Sequence, residues 1–149
     1  AEQRFDGFMA AIEGSGVEVL DDQYANWNRD DGFTVMQDFL SRFPEIDAVW
    51  AQDDDIAIGV IQAVRQARRQ DELFVVGGGG MKDIVKRVMD GDELTPVDVL
   101  YPPSMISTAM ELTALKFVSD TPIEGEYILG SPLITKDNAE DYYFPDSPF

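Results

Sequence analysis

Short apolar runs alternate with amphipathic segments along this chain, and that alternation constrains the fold more than any other feature. Residues 48–51, 73–76 and 97–101 are runs of strand length. The first two are apolar throughout, so both faces of these strands are expected to be covered, as in a parallel sheet. Strands that alternate with helices over short connections predict an α/β fold with a doubly wound parallel sheet.

The segments between these runs place apolar residues at the three- and four-residue spacing of α-helices. Helices are predicted over 2–13, 30–42, from the acidic triplet 53–55 through Val64, over 81–89 and over 104–118. A further strand is predicted at 17–20. The chain from Pro122 to the last residue is predicted to form loops, with one strand near 127–134. Asp54 is predicted to cap the third helix through its carboxylate.

Charge excludes several classes of partner. The chain has 149 residues and a net charge of −18, from 29 acidic and 11 basic side chains. One domain of ordinary size is expected for this length. Beyond Arg65, Arg68 and Arg69 there is no basic cluster, so neither nucleic acid nor an anionic membrane surface is predicted as a partner. Such acidity is typical of a salt-exposed, halophilic source or of an ordinary acidic extracytoplasmic protein.

The sequence contains neither cysteine nor histidine. Disulfides, cysteine nucleophiles and serine–histidine triads are therefore excluded, and the commonest zinc ligands are missing. Consecutive side chains of the triplet 53–55 point in different directions, and no further ligand follows at a recognisable spacing, so neither a metal nor a cofactor is predicted. No apolar run approaches the roughly 20 residues of a membrane span.

Ligands of an open parallel sheet bind beyond the carboxyl ends of its strands. The segments at those positions are 26–28, 52–54, 78–80 and Tyr101. They supply an aromatic face, carboxylates and amides, an open backbone and a phenol, which suit a neutral polyol better than an anion. Trp27 has two interpretations, because an indole in a polar loop either stacks on the C–H face of a sugar or packs in the core or a lid. The glycines at 77–80 lack the spacing of a phosphate-binding loop and predict a tight turn that a ligand can approach closely.

Six short motifs occur in a recognisable order and spacing. They are RFDGF at 4–8, ANWNR at 25–29, VMQ at 35–37, AQDD at 51–54, AIG at 57–59 and VVG at 75–77. On these motifs the chain from residue 1 to about 118 resembles the C-terminal lobe of periplasmic sugar-binding proteins related to ribose-binding protein, with their type I fold. The resemblance implies a protein that captures a sugar without catalysis and presents it to a membrane ABC importer. It also implies a periplasmic location, or an extracytoplasmic one with a lipid anchor.

The resemblance assigns roles to four residues. Arg4 matches an arginine that donates hydrogen bonds to sugar hydroxyls, and Trp27 matches an aromatic that stacks on the sugar ring. Asp53 matches a polar residue at the edge of the sugar. Tyr101, or its neighbour Leu100, falls near a hinge position where the family often has a polar contact.

Gly78 and Gly79 depart from the family pattern. They stand where the family usually has an aromatic or apolar residue followed by an aspartate that binds hydroxyls. Gly79 is therefore expected to leave a larger pocket at this wall of the ligand site. A bulkier or substituted sugar is expected, with Asp53 or Asp98 supplying the carboxylate.

The resemblance also implies a division of the chain. Residues 1–101 are expected to form the sugar-binding lobe, and 102–149 to form a crossover helix and a returning segment that pack on an N-terminal lobe. Because the sequence begins at Ala1 inside a helical pattern, further chain is expected upstream. Two other functions stay open: the effector-sensing domain of a LacI-type transcription regulator, and a hydrolase that uses Asp53 with a second acid.

Overall fold

The computed structural model describes residues 2–119 and 124–149, and in them helices and strands alternate as expected. The elements in chain order are α1 (Glu2–Ile12), α2 (Arg29–Arg42), β1 (Ala48–Trp50), α3 (Asp54–Gln66), β2 (Phe74–Val76), α4 (Lys82–Asp90), β3 (Val97–Val99), α5 (Met105–Val118), β4 (Leu133–Thr135) and the short 3-10 helix η1 (Ala139–Tyr142). The predicted helices are confirmed, each within two residues at its ends.

Parallel pairing brings the strand ends to one edge. β1 runs parallel to β2, with Val49 opposite Val75. A parallel bridge between Gly79 and Leu100 then links the chain beyond β2 to the chain beyond β3. The three carboxyl ends therefore lie side by side. β4 runs antiparallel to β3.

Two glycines allow the helices α2 and α3 to pack closely. A β-carbon at Gly59 would lie 2.0 Å from the backbone oxygen of Arg29, and one at Gly32 would lie 2.9 Å from that of Ile56. Only residues without a side chain permit this approach of two backbones. The two helices cover β1 and β2 and form the main core, in which Met36 is buried.

A smaller apolar cluster lies beside β3 and β4, which form a second two-stranded sheet. Val85 and Val88 of α4 pack there against Ile134 of β4 and Ala139 of η1. α1 contacts the sheet through Phe8, whose ring centroid lies 4.7 Å from that of Trp50.

Two predicted strands are wrong in whole or in part. Residues 17–20 belong to no strand, and all four are exposed. A strand needs a neighbour that supplies backbone hydrogen bonds, and none of the described residues lies alongside this segment as a paired strand. The strand predicted near 127–134 is limited to β4, which ends one residue later. The loop predicted from Pro122 begins outside the described residues.

The helix α5 packs against little of the described chain. None of its residues is buried, and Ile106 and Phe117 are 64% and 83% exposed. The apolar side chains of α5 are therefore exposed or partly exposed, unlike those of the core. No helix among the described residues has the length and apolar character needed to cross a bilayer.

Candidate functional site

Arg4 lies between two aromatic rings at the carboxyl edge of the sheet. Its guanidinium carbon is 5.5 Å from the ring centroid of Trp27 and 4.5 Å from that of Tyr101. Its Nη1 donates a hydrogen bond of 2.8 Å to the backbone oxygen of Gln52. The structure thus brings three of the predicted site residues together. A guanidinium has five N–H donors, so most of them stay available for a ligand.

The loop before α2 holds Trp27 in a constrained conformation. Asn26 and Trp27 both have positive φ, at 47° and 56°, which is costly for residues with a side chain. Asn28 accepts from the amides of Asp30 and Asp31 and so caps α2. The indole itself is 51% exposed. A strained loop that holds an aromatic half in solvent favours a ligand contact over packing in the core.

Gln52 belongs to the segment 52–54 that the sequence predicts at this edge, and the structure adds the geometry of its backbone and side chain. It follows β1 with a positive φ of 61°, and its backbone oxygen accepts from Arg4. Its side-chain Oε1 is buried and has no hydrogen-bond partner. A buried acceptor without a donor is costly, so this atom marks a place at the edge where a ligand hydroxyl would be stabilised.

Asp53, not Asp54, caps α3. Its Oδ1 accepts from the amides of Asp55 and Ile56 at 2.9 and 3.3 Å. The assignment of the cap to Asp54 was wrong because Asp54 turns inward, beneath the glycine turn. Asp53 follows Gln52 directly and so lies at the same edge, and its contact with a ligand stays a prediction.

Gly79 is joined to Tyr101 through the backbone. Its amide donates to the oxygen of Val99 at 2.8 Å, and its own oxygen accepts from the Tyr101 amide at 3.1 Å. The wall beside it is not open, however, because Gly79 is buried. The ring atom Cζ of Phe149 lies 3.4 Å from the point that a β-carbon on Gly79 would occupy. The larger pocket expected at this wall is therefore filled by this ring together with the Asp54 carboxylate, whose Oδ2 lies 2.8 Å from the same point.

Asp54 and Asp98 form a buried carboxyl pair beneath the turn 77–80. Asp54 accepts from the Gly78 amide through Oδ1 at 2.8 Å and from the Met81 amide through Oδ2 at 2.7 Å. Asp98 accepts from the Gly80 amide through Oδ2 at 3.1 Å. The pair thus holds the backbone of the turn in place. The expectation that Asp98 faces the ligand is wrong, because its side chain is fully buried.

The pair retains a proton near neutral pH. Burial, together with the charge of Asp54, raises the pKa of Asp98 to about 8. Burial also raises the pKa of Asp54, while hydrogen bonds from the Met81 and Gly78 amides oppose that rise. Two adjacent buried carboxyls cannot both ionise readily, so one of them keeps its proton. Asp98 is the natural holder, because its Oδ1 is buried without a donor.

The edge is an open surface and not an enclosed cavity. Two open concavities of the described residues lie away from this edge, one between α2 and α3 and one beside the end of α1. The same part of the chain contains no group of three or more acidic side chains placed to hold a metal ion. What the edge presents is a cation between two rings, an unpartnered amide oxygen and backbone groups. Such an arrangement binds neutral hydroxyls and C–H faces well.

Comparison with known proteins identifies the family. Residues 1–114 match the periplasmic binding protein domain, and the chain belongs to that family. It is 32% identical over 136 residues to the ribose import binding protein of Escherichia coli (strain K12), covering 91% of this chain and 45% of that protein. It is 34% identical over 130 residues to a xylitol-binding protein of Mycolicibacterium smegmatis, covering 83% and 35%.

Solved structures agree with this assignment. An ABC transporter periplasmic solute binding protein from Actinobacillus succinogenes 130z with bound D-allose matches with a TM-score of 0.84 and 26% identity, over 95% of this chain and 50% of that one. The chain therefore has the type I periplasmic-binding-protein fold. It spans less than half the length of the curated relatives named above.

Proposed function

We propose that this chain is the C-terminal lobe of a sugar-binding protein that delivers its ligand to a membrane ABC importer. The names of its relatives, which include import binding proteins, support this role over that of a transcription regulator. The same names support a periplasmic location, with or without a lipid anchor. Residues 1–101 would form the sugar-binding lobe.

The position of Arg4 carries the proposal. A guanidinium whose neighbours are two partly exposed rings and a backbone oxygen has hydrogen-bond donors next to an aromatic surface. Sugar rings require both elements, because their hydroxyls accept hydrogen bonds while their C–H faces stack on aromatic rings. Trp27 would stack on the sugar, Arg4 and Asp53 would contact its hydroxyls, and Gly79 would lie in the wall of the site beside Tyr101.

A second lobe would complete the site. The edge is open, and α5 exposes its apolar side chains. We assign α5 to a crossover helix that packs on an N-terminal lobe of the same protein. The segment 102–149 was expected to pack there as a whole, but residues 133–149 return to this lobe, where β4 pairs with β3 and Ile134 and Ala139 pack on α4. A sugar bound between two lobes would be enclosed on both sides, as the burial of most ligand surface in binding sites requires.

Catalysis is not part of the proposed function. Asp54 and Asp98 are buried beneath the turn, so neither can act beside Asp53 as a second carboxyl that faces the ligand. A glycosidase needs two carboxyl groups that face the scissile bond. The protein should therefore release its sugar unchanged, which chromatography of the ligand after prolonged incubation would show.

Isothermal titration calorimetry of the two-lobed protein tests the proposal. The panel contains D-ribose, D-allose, xylitol, D-galactose, myo-inositol and glycerol, with an amino acid and inorganic phosphate as negative controls. Saturable binding of at least one sugar or polyol, with no binding of the controls, is expected. Binding of the amino acid or phosphate alone, or of nothing in the panel, contradicts a sugar-binding role.

A further inference from the structure

The wall at Gly79 is built by a distant part of the chain. Neither Gly78 nor Gly79 has a side chain with which to meet a ligand, yet both are buried. The ring of Phe149 lies against Gly79, with Cζ 3.4 Å from the position of a β-carbon there. The space that a side chain of residue 79 would need is therefore shared by the Asp54 carboxylate, whose Oδ2 lies 2.8 Å from the same point, and by this ring.

Polar contacts hold the final segment in this place. Lys82, the first residue of α4, donates from Nζ to the backbone oxygen of Ser147 at 2.5 Å. The amide of Phe149 then donates to Oγ of Ser147 at 3.1 Å. The lysine anchors the segment to the helix that follows the glycine turn, so the ring is positioned relative to the turn itself.

The ring is also close to the proposed sugar site. Gly79 exchanges backbone hydrogen bonds with Val99 and Tyr101, and the Tyr101 ring lies 4.5 Å from the guanidinium carbon of Arg4. Gly79 is thus hydrogen-bonded through its backbone to Tyr101, a residue of the site. A ring that covers Gly79 lies at the same edge as the donors and rings described above.

We propose that Phe149 forms an apolar wall of the sugar site and determines its specificity at the position of Gly79. This inference rests on the proposed sugar-binding function. A carboxylate at this wall would bind hydroxyls, whereas an aromatic ring excludes them and favours C–H groups. The ligand is therefore a sugar or polyol that presents C–H or methyl groups, as a deoxy sugar does, towards this wall.

Calorimetry with matched variants tests the wall. The variants are Phe149→Ala, Phe149→Tyr and, as a control, Phe144→Ala, which removes an exposed ring of the same segment. The sugar panel is extended by two pairs of a 6-deoxy sugar and its parent, which are D-fucose with D-galactose and L-rhamnose with L-mannose. The ligand is the sugar of this extended panel that binds most tightly. Phe149→Ala should weaken binding roughly tenfold or more, as the loss of an aromatic anchor does. Phe149→Tyr should retain most of the affinity, and Phe144→Ala should change it less than twofold.

A second measurement does not depend on the sugar. In a ¹H–¹⁵N NMR spectrum, Phe149→Ala should shift the amide of Gly79, which loses the ring current, and Phe144→Ala should not. Unchanged affinity and an unchanged Gly79 amide in Phe149→Ala, with a wild type that binds sugar, overturn the wall and leave the sugar-binding function intact. A wild type that binds no sugar overturns the function and the wall with it.

Discussion

Asp54 and Asp98 accept hydrogen bonds from three amides of the segment 78–81, so their protonation is linked to stability. The pKa of Asp98 is raised to about 8 by burial and by the charge of Asp54, from an ordinary value near 3.9 in the unfolded chain. Between about pH 4 and pH 8 the folded protein therefore holds a proton that the unfolded chain has released. Its free energy of unfolding should fall as the pH rises through this window, by up to about 1.4 kcal/mol per pH unit from this group.

Asp98→Asn should remove that pH dependence. An asparagine amide mimics the protonated carboxyl, since its oxygen accepts from the Gly80 amide and its NH₂ donates to Asp54. Urea unfolding at several pH values from 5 to 9 would show a flatter profile for the variant, which should be the more stable protein at pH 8. Parallel profiles for wild type and variant would contradict a proton held at Asp98.

Asp54→Asn distinguishes the role of Asp54 from that of Asp98. Both oxygens of Asp54 accept from backbone amides, so an amide NH₂ in place of one oxygen leaves a buried N–H without an acceptor. We expect a loss of about 1 to 3 kcal/mol in the free energy of unfolding. The control is Asp55→Asn. Asp55 forms a half-exposed ion pair with Arg29, and the loss of that pair should cost at most about 1 kcal/mol in the free energy of unfolding. Equal effects of the two substitutions would argue against the buried role of Asp54.

Trp27→Ala tests the aromatic half of the site. The substitution should weaken sugar binding by roughly 1 to 3 kcal/mol, because a stacking surface is removed from the ligand. Tyr24→Ala is the control, since Tyr24 precedes the same loop and is 85% exposed. Calorimetry at constant salt would compare the two. Unchanged affinity in Trp27→Ala, together with a lower melting temperature, would reassign Trp27 to packing.

At the scale of elements, the contact between α2 and α3 depends on a glycine. Gly59→Ala would place a β-carbon 2.0 Å from the backbone oxygen of Arg29, so the helices must separate. Overpacking of this kind costs about 1 to 3 kcal/mol. Gly7→Ala in α1 is the matched control, because a β-carbon there meets nothing within 4 Å and alanine favours a helix by up to about 1 kcal/mol. Thermal unfolding should rank the proteins Gly7→Ala, wild type, Gly59→Ala, and any other order contradicts the packing described.

Helices were predictable from the sequence because their signal is local. The apolar spacing within α2 or α3 repeats over three or four turns, whatever lies next to the helix. The strand predicted at 17–20 failed because a strand exists only with a paired neighbour, which apolar composition does not reveal. The site likewise has residues that the sequence predicts and residues that only the fold reveals. Arg4, Trp27 and Tyr101 were named by motif and position, and the structure brings them together.

Other parts of the site depend on contacts between distant residues. Phe149 reaches Gly79 through a segment anchored 65 positions away, at Lys82. The pairing of Asp54 with Asp98 also follows from the fold and not from spacing. Gln52 lies in the predicted segment 52–54, but its positive φ and its unpartnered side-chain oxygen arise at the junction between β1 and α3 and were not predictable.

At the scale of the whole molecule, α5 should control association. Full burial of an apolar side chain is worth about 1.5 to 3 kcal/mol, and several exposed on one helix favour contact with another surface. Residues 1–149 produced alone should therefore self-associate, most strongly at high salt, where the net charge of −18 is screened. Sedimentation velocity would measure this. The double variant Ile106→Ser, Phe117→Ser should shift the chain towards monomer, whereas Phe144→Ser should not.

Self-association should also disappear when the second lobe is present. α5 would then be covered within one molecule, and the two-lobed protein should sediment as a monomer. A monomeric chain of residues 1–149 that holds a sugar with micromolar affinity would contradict the need for a second lobe.

A crystal structure of the two-lobed protein with its tightest-binding sugar tests the central claim most directly. We expect the sugar at the carboxyl edge of the sheet, with a C–H face on the indole of Trp27 and hydroxyls within hydrogen-bond distance of the Arg4 guanidinium. A sugar bound at another surface, while Arg4 stays between Trp27 and Tyr101 and does not contact that sugar, would contradict the proposed site.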